Sequence, residues 1–558
     1  MTDHNKYYVV TEKAVPDVLL KVVEAKKLLD TQKLDTVQEA VDAVGISRSS
    51  FYKYKDDIFP FKEKTKGENI TFILQMDDEP GLLSAVLAAI AQFHGNILTI
   101  HQSIPMNGVA GLTLSVAILP AEGDAAAMVD NIEHIKGVHY LKILGREQAE
   151  EKIMIQIAVL GYGTVGSGVV EVLDTNKESI KKRAGEEIHI KYVLDLRDFP
   201  GSPIEKILVH DFETIMKDPE VKIVVEVMGG VEPAYTFSKR ALEAGKSVCT
   251  SNKELVARHG LELIEIAKAH KVNYMFEASC GGGIPIIRPL NSSLTADEID
   301  EITGILNGTT NYILTEMGDR YADFEAVLKE AQEKGYAERN PEADVEGFDA
   351  CRKIAILSSL AYGAHVNYES IYTEGITKIT AEDMKYASLL GMKVKLLATS
   401  KRKGEKFYAM VCPELVGKNS PLYSVNGVFN AIFVHGNVLG DAMFYGSGAG
   451  KLPTASAVVG DVVDCAKHQG KTVVTYWSSK VLDQVDIKDV EHKFFVRVKG
   501  NLQEDKEKIE VLFGKAEFIS VPGLDNEFGF VTEMMSEGTF DEKAAACPEI
   551  LGRIRIRA

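Results

Sequence analysis

The sequence has no run approaching about 18 uninterrupted apolar residues, so no membrane span is expected. It has no Cys-x-x-Cys pair. Its six cysteines (Cys249, Cys280, Cys351, Cys412, Cys465, Cys547) are scattered, which argues against a disulfide framework or a structural zinc site and fits a reducing cytoplasm. It lacks excess positive charge. A formal net charge of -18 argues against nonspecific attachment to nucleic acid or an anionic membrane, while leaving room for a local basic patch. The opening residues, MTDHNKYY, contain no signal-peptide core.

What is present is ordinary in bulk. With 45% hydrophobic and 26% charged residues, the composition suits a soluble globular protein. At 558 residues the chain is too long for one core and predicts three or more domains.

The most informative stretch is IMIQIAVLGYGTVGSGVV, residues 153 to 170. A short apolar run ends in Gly161-Tyr162-Gly163-Thr164-Val165-Gly166, the G-x-G-x-x-G pattern of a dinucleotide site at a strand-to-helix turn. Gly161 permits the turn, Gly163 lets the backbone approach a pyrophosphate, and Gly166 allows close helix–strand packing. The phosphates then face free N–H groups at the helix N-terminus. An ordinary glycine turn is the bland alternative. The strand before it and the apolar continuation after it (Val169, Val170, Val172, Leu173) favour the nucleotide.

Residues 1–66 read as helical. Asp17 to Leu34 carries apolar residues at helical spacing. A helix-turn-helix-like unit follows, in which Ala40 and Val44 pack, Gly45 turns and Ser47 caps a helix through Tyr54. Lys53, Lys55, Lys62, Lys64 and Lys66 make this end locally basic. A small bundle with a solvated lysine face is preferred to a nucleic-acid binder, given the acidic total.

Residues 67–148 give strand, helix, strand, strand, helix, strand, the ferredoxin-like order. Asp78-Glu79-Pro80-Gly81 followed by Gly95-Asn96-Ile97 resembles the ACT-domain family of small-molecule sensors. That resemblance implies amino-acid binding near Gly81, Leu82 and Asn96; a dimerisation module without ligand is the alternative. From 152 to 290, strand-like runs (IQIAVLG, IHIKYVLDL, KIVVEVMGG, KSVCTSNK, VNYMFEAS) alternate with helices, the doubly wound α/β pattern. Their carboxyl ends carry the glycine loop, Asp195, Gly229-Gly230, Asn252-Lys253 and Glu277. Residues 291–445 are less regular, with an extended stretch around EITGILNGTTNYI, two helices (326–335, 350–362) and strands at FYAMVCPEL and NAIFVHGNV. A second glycine loop, Gly446-Ser447-Gly448-Ala449-Gly450, leads into a helix over 455–467, which is expected to pack back on the nucleotide domain, so that 446–485 completes it. Residues 490–558 suggest a second, degenerate ACT-like unit without the Pro-Gly loop.

The fold class expected is therefore α/β: a Rossmann-type doubly wound nucleotide-binding domain with an inserted α+β catalytic and dimerisation domain, flanked by ferredoxin-like (ACT-type) α+β domains.

In order and spacing, GYGTVGSGVV, EVMGG, TSNKEL, FEASCGGGIPIIRPL, GILNGTTNYIL, GYAERNPEADVEGFDACRKIAIL and FYGSGAGKLPTASAVVGD resemble homoserine dehydrogenase over residues 153 to 470. The resemblance implies NAD(P)-dependent interconversion of L-homoserine and L-aspartate 4-semialdehyde, in the pathway to threonine, methionine and isoleucine, with an amino acid such as threonine as effector. It implies a homo-oligomer, dimer or tetramer. No kinase-sized region precedes Ile153, so fusion to an aspartate kinase is not expected.

The resemblance places Lys353 as proton donor, Lys253 beside nicotinamide and substrate, and Asp349 as the acid that orients Lys353. Glu338 would hold the substrate ammonium and Asp344 would complete the acidic face, whereas Glu342 reads as solvated. By residues alone, Lys353 would be a surface lysine paired with Asp349 one helical turn away, a contact worth about 0.3–0.5 kcal/mol. Two lysines sharing a pocket would depress each other's pKa. Gly161, Gly163, Thr164, Val165, Gly166, Lys253 and Gly446 would hold the cofactor. Glu277, with the backbone carbonyls of Cys280, Gly282 and Ile284, matches a sodium-like cation site. Asp195 could accept from a ribose 2′-OH, favouring NAD; Arg197 could pair with a 2′-phosphate, favouring NADP; with both present, use of either coenzyme is expected. The competing reading is an amino-acid-sensing, nucleic-acid-binding regulator that carries a dehydrogenase domain. Lys253, Glu338, Asp349 and Lys353 together favour the enzyme, because a pure binding protein has no need of them.

Overall fold

The computed structural model describes residues 15–30, 37–54, 68–103, 105, 108–118, 125–148, 154–547 and 549–557. They fall into two compact units, residues 1–151 and 152–558. The expectations for Leu34, Lys55, Lys62, Lys64, Lys66 and Ile153 lie outside the described residues.

In the first unit three helices, Asp17–Asp30, Val37–Val44 and Arg48–Tyr54, bury Val22, Ala25, Ala40, Val41 and Phe51 in a small core. Gly45 turns the chain at φ +73°, a conformation that favours glycine. Ser47 Oγ accepts from the Ser50 N–H at 3.2 Å, a helix cap. Then β1 (Glu68–Asp77), β2 (Gly95–Gln102), β3 (Val109–Ile118) and β4 (Val138–Gln148) form an antiparallel sheet in the order β2-β3-β1-β4. Alternate β3 residues Ala110, Leu112, Leu114 and Val116 are buried, because strand side chains alternate between faces. Helices Leu82–Gln92 and Ala125–Glu133 cover that face with Val86, Ile90, Met128 and Ile132. The ferredoxin-like order read from the sequence is the one observed.

The second unit opens with a parallel sheet: β5 (Met154–Leu160), β6 (Glu187–Leu194), β7 (Leu208–Val209), β8 (Val221–Glu226), β9 (Ser247–Thr250) and β10 (Tyr274–Met275). The order β10-β9-β8-β5-β6-β7 is that of the doubly wound dinucleotide fold, with its switch point between β5 and β8. The five strand-like runs of the sequence become six. β7 has two residues, too few for any periodicity to reveal. Along β5, Ile155, Ile157 and Val159 enter one core layer and Ala158 and Leu160 the other. Helix Lys451–Lys467 packs in the first layer against helix Thr164–Thr175. A Cβ on Gly168 would lie 2.8 Å from the Lys451 carbonyl O, so glycine permits that approach.

Next comes a sheet of β11 (Ile299–Ile305), β12 (Tyr372–Thr373), β13 (Met392–Lys403), β14 (Lys406–Gly417), β15 (Phe429–Gly436), β16 (Gly440–Ser447), β17 (Asp483–Gln484), β18 (Glu491–Lys499), β19 (Glu517–Ile519), β20 (Glu527–Val531), β21 (Met535–Ser536) and β22 (Ile550–Ile556). Its main path is β16-β15-β11-β13-β14-β22-β18-β20-β19. The stretch EITGILNGTTNYI is not extended throughout. It is β11 followed by helix Gly308–Arg320, because Asn307 accepts from the Thr310 N–H at 2.9 Å and starts the helix.

Residues 491–556 repeat the ferredoxin-like order as β22-β18-β20-β19, with helices Leu502–Phe513 and Glu537–Ala544. They are not a detached flank. Parallel pairing of β14 with β22, Glu414 opposite Arg555, makes the sheet continuous with the preceding one. Hydrophobic patterning marks a strand but not its neighbour, which is why the sequence left this join unseen.

Candidate functional site

The dinucleotide crevice opens at the carboxyl ends of β5 and β8. Gly161 has φ +96°, and Gly163 would place a Cβ in open space. A Cβ on Gly166 would lie 2.0 Å from the Gly161 carbonyl O, so the turn excludes any side chain there. Gly163 also provides no side-chain cap to helix Thr164–Thr175, so the first-turn N–H groups of Thr164, Val165 and Gly166 suit a pyrophosphate. These features fit the cofactor the sequence predicts.

Asp195 and Arg197, read from the sequence as alternatives, bind each other. Asp195 Oδ1 accepts from the Arg197 N–H (3.0 Å) and Nε (2.9 Å). Oδ2 accepts from Arg197 Nη2 (2.9 Å) and the Tyr162 N–H (2.8 Å). All four acceptor positions of the carboxylate are taken. The Arg197 guanidinium holds the Asp195 carboxyl well below the usual carboxylate range, against burial. Arg197 itself stays exposed, 5.1 Å over the Phe199 ring.

The other candidates gather where three helix N-termini converge. Asp349 lies in the first turn of helix Phe348–Tyr362, Lys253 opens helix Lys253–Ala269, and Asn307 caps helix Gly308–Arg320. The positive ends of three helices favour negative charge there. Asp349 is the hub. Its Oδ2 accepts from Lys353 Nζ (2.7 Å) and Asn307 Nδ2 (2.9 Å), and its Oδ1 forms an ion pair with Lys253 Nζ. Lys353 also donates to the Leu306 carbonyl O (2.7 Å), which leaves one of its three protons uncommitted among the described residues. Asp349 and Lys353 are buried while the Lys253 side chain is 41% exposed, so the cluster runs from core to crevice. The Lys353–Asp349 spacing is that of the surface pair considered from the sequence, but burial removes the solvent screening that makes such pairs weak.

Burial pushes the Asp349 carboxyl up, but the Lys353 and Lys253 ammoniums outweigh it and hold it well below the usual carboxylate range. Lys253 is not depressed, as a neighbouring cation alone would make it. The Asp349 charge between the two lysines pushes Lys253 up, against burial.

Asp344 joins through Asn307, whose Nδ2 donates to its Oδ1 at 2.6 Å. Burial and the Asp349 charge push Asp344 up, while the Asn307 bond pulls the other way. Glu338 and Glu342 are exposed. Glu338 makes no side-chain hydrogen bond or ion pair among the described residues, and only its backbone carbonyl is engaged, by Gln332 Nε2. Its turn is held beside the cluster by Thr309, whose Oγ1 donates to the Tyr336 carbonyl O at 2.7 Å.

Glu277 is buried. Its carboxylate accepts from the N–H groups of Ile286 (2.6 Å), Ile287 (2.9 Å) and Arg288 (2.7 Å). The carbonyls of Cys280, Gly282 and Ile284 accept no hydrogen bond among the described residues. Cys280 Sγ lies 3.7 Å from the Lys353 carbonyl O, joining this segment to the lysine helix. Beside Gly446, Gly448 packs on it so closely that a Cβ on Gly282 would lie 2.3 Å from the Gly448 carbonyl O.

Two residues escaped the sequence reading. Asn307 bridges two carboxylates, yet in sequence it is only a cap-type Asn before Gly-Thr-Thr. Glu226 ends β8 fully buried, accepting from Thr250 Oγ1 (2.5 Å) and the Met228 N–H (2.8 Å); burial pushes it up to about 7. It sits inside EVMGG, where an acid ending an apolar strand was the available signal.

A doubly wound sheet with this glycine turn, beside a buried lysine–carboxylate cluster, defines an NAD(P)-dependent oxidoreductase. Comparison agrees. Residues 161–277 match the family described as homoserine dehydrogenase, NAD binding domain, and residues 285–463 the family described as homoserine dehydrogenase. A homoserine dehydrogenase of Synechocystis sp. is 48% identical over 319 residues, covering 56% of this chain and 73% of that one. One of Bacillus subtilis is 42% identical over 317 residues, with the same coverage. The solved structure of a homoserine dehydrogenase from Thiobacillus denitrificans superposes with TM-score 0.68 at 35% identity, covering 72% of this chain and 98% of that one. The chain belongs to the homoserine dehydrogenase family. It interconverts L-homoserine and L-aspartate 4-semialdehyde with NAD(P). No helix among the described residues is long and apolar enough to cross a membrane.

Proposed function

We propose that Lys353, Asp349 and Lys253 are the catalytic group of this dehydrogenase. The observation that carries this is the shared carboxylate: one buried Asp349 fixes both ammonium groups. A bound nicotinamide supplies or accepts the hydride at C4 of the substrate. In the reducing direction negative charge grows on the carbonyl oxygen, and Lys353, with one N–H uncommitted, gives that oxygen its proton. In the oxidising direction the same amine takes the proton back. Lys253, nearer the crevice, stabilises the oxygen by charge and orients the substrate. Asp349 stays ionised and holds both lysines in place. Asp344 completes the acidic face and Glu338, exposed at its rim, takes the α-ammonium. Gly161, Gly163, Thr164, Val165, Gly166, Lys253 and Gly446 hold the cofactor. With Arg197 exposed and the Asp195 oxygens taken, a 2′-phosphate meets a donor while a 2′-OH finds the Asp195 acceptors occupied, which favours NADP. The test is Lys353→Ala: kcat falls by about 100-fold or more with NADP affinity retained. A variant with unchanged kcat sinks the assignment.

A monovalent cation on Glu277 and the carbonyls of Cys280, Gly282 and Ile284 belongs to the same reading, supported by three buried carbonyls that accept no hydrogen bond among the described residues. Hard oxygens suit such an ion. The chain divides as 1–66, helical and helix-turn-helix-like; 67–148, ACT-like; 152–290 completed by 446–485, nucleotide-binding; 291–445, catalytic and dimerisation; and 490–558, degenerate ACT-like. The ferredoxin-like sheet of 68–148 and Gly81 at φ +94°, opening its first helix, support an amino-acid effector at Gly81, Leu82 and Asn96, with threonine first to try. The functional enzyme is a dimer or tetramer. It works in the cytoplasm, and nucleic acid is not its partner.

A further inference from the structure

A second cluster of charge lies away from the Asp349 site. Lys393 and Lys395 are alternate residues of β13 and so leave the same face of the sheet. They line a cavity of about 380 Å³ together with Asp319, Tyr321, Tyr423 and Lys418. Lys395 is 1% exposed, yet neither it nor Lys393 forms an ion pair among the described residues. Lys395 donates to neutral oxygens only: Asn311 Oδ1 (3.0 Å), the Val425 carbonyl O (2.5 Å) and Asn426 Oδ1 (3.2 Å). Lys393 donates to the same Asn426 Oδ1 at 3.1 Å. A neutral amide oxygen therefore stands between two ammonium groups, where a full negative charge would be held far better. Burial first, then Lys393, pushes Lys395 down to about 7, and the Asp319 charge offsets them only in part, the response of a buried cation with no carboxylate in contact. Asp319 is the only carboxylate among the described lining residues.

We propose that this cavity takes a small oxyanion, a carboxylate or phosphate group seated between Lys393 and Lys395 in place of the Asn426 amide oxygen. Asn426 is only half-buried and can turn away, so its place can be vacated. The site is wired to the reaction. Asn311, which accepts from Lys395, lies one turn along helix Gly308–Arg320 from Asn307, which donates to Asp344 and Asp349. A shift of that helix on anion binding moves the donor that positions both carboxylates.

The full chain tests this. Thermal unfolding and initial rates with L-homoserine and NADP+ are measured with inorganic phosphate or acetate, against KCl at matched ionic strength. Two variants serve as controls. Asn426→Asp places a fixed carboxylate between the lysines, and Lys393→Met removes one of them; neither touches the reacting atoms, and Lys393→Met keeps the basal kcat. In the wild type, phosphate or acetate raises Tm above the KCl control and changes kcat/KM for homoserine by about fivefold. Both variants lose that response. Response to phosphate alone assigns a phosphoryl ligand, and response to acetate alone a carboxylate. A wild type that follows KCl alone overturns the site. So does a response undiminished in both variants, which places the anion elsewhere, such as the cofactor crevice.

Discussion

Replacing Asp349 by Asn removes one charge and almost no volume, and the structure says what that should do. The carboxylate accepts from Lys353 and Asn307 on one oxygen and pairs with Lys253 on the other. An amide has one acceptor and one donor end. Whichever way it turns, an N–H₂ group faces an ammonium. Taking one partner from a buried ion pair costs ~3–5 kcal/mol when the other stays charged. Part of that is relieved here, because Lys253 is partly exposed and gives up the upward pKa shift that Asp349 supplies. For the chemistry, loss of the group that orients both lysines is expected to lower kcat by roughly 10²–10³, or ~3–4 kcal/mol at 1.36 kcal/mol per tenfold. Stability follows with a definite sign. The folded-state pKa of Asp349 is depressed, so its contribution is present above the unfolded value of about 3.9 and lost as pH falls. The deficit of Asp349→Asn should therefore be full at neutral pH and close on acidification. The assay is NADPH formation at 340 nm with saturating homoserine, together with thermal melts at neutral pH and in steps below about pH 4, where the difference closes. A variant within threefold of the wild-type kcat, with an unshifted melt at neutral pH, would refute the reasoning.

Glu226 gives the opposite pH signature. Its folded-state value is raised from 4.5 to about 7, so the folded protein holds a proton the unfolded chain has lost, and stability falls as pH rises through that window. Glu226→Gln should melt higher than wild type at pH 8, by up to ~3 kcal/mol, with the difference shrinking toward pH 5; parallel melts at the two pH values would contradict this. Arg197→Leu should raise KM for NADP+ by about tenfold or more while leaving NAD+ little affected, and an unchanged ratio of the two coenzymes would remove Arg197 from cofactor selection. Gly448→Ala would place a Cβ 2.0 Å from Asn430 Cγ, in a buried side chain with no room to retreat, so a loss of about 1–3 kcal/mol in a thermal melt is expected. A wild-type Tm would show that the loop yields.

Much of this protein was determined by local chemistry that the sequence displays directly. The turn at Gly161 to Gly166 needs glycine where φ is positive and where a side chain would strike the Gly161 carbonyl, and those demands are written in consecutive residues. The strands of the ferredoxin-like sheet announce themselves by alternation, as in Val109–Ile118, because burial of one face acts residue by residue. The lysine and carboxylate candidates were legible through resemblance in motif order. Their working relations were decided only by tertiary structure. Lys253 and Lys353 are far apart in the chain, and no spacing rule states that they share the buried Asp349 carboxylate. Asp195 and Arg197 looked like rival cofactor contacts because sequence shows types of group, while hydrogen bonds decide which groups remain free. Asn307 and Glu226 were missed for a related reason: the role of each is defined by what it touches across the fold. The join of β14 to β22 likewise depends on long-range pairing. Local backbone demands and periodic burial are encoded over a few residues. Charge pairing, desolvation and sheet order depend on distances that exist only once the chain has folded.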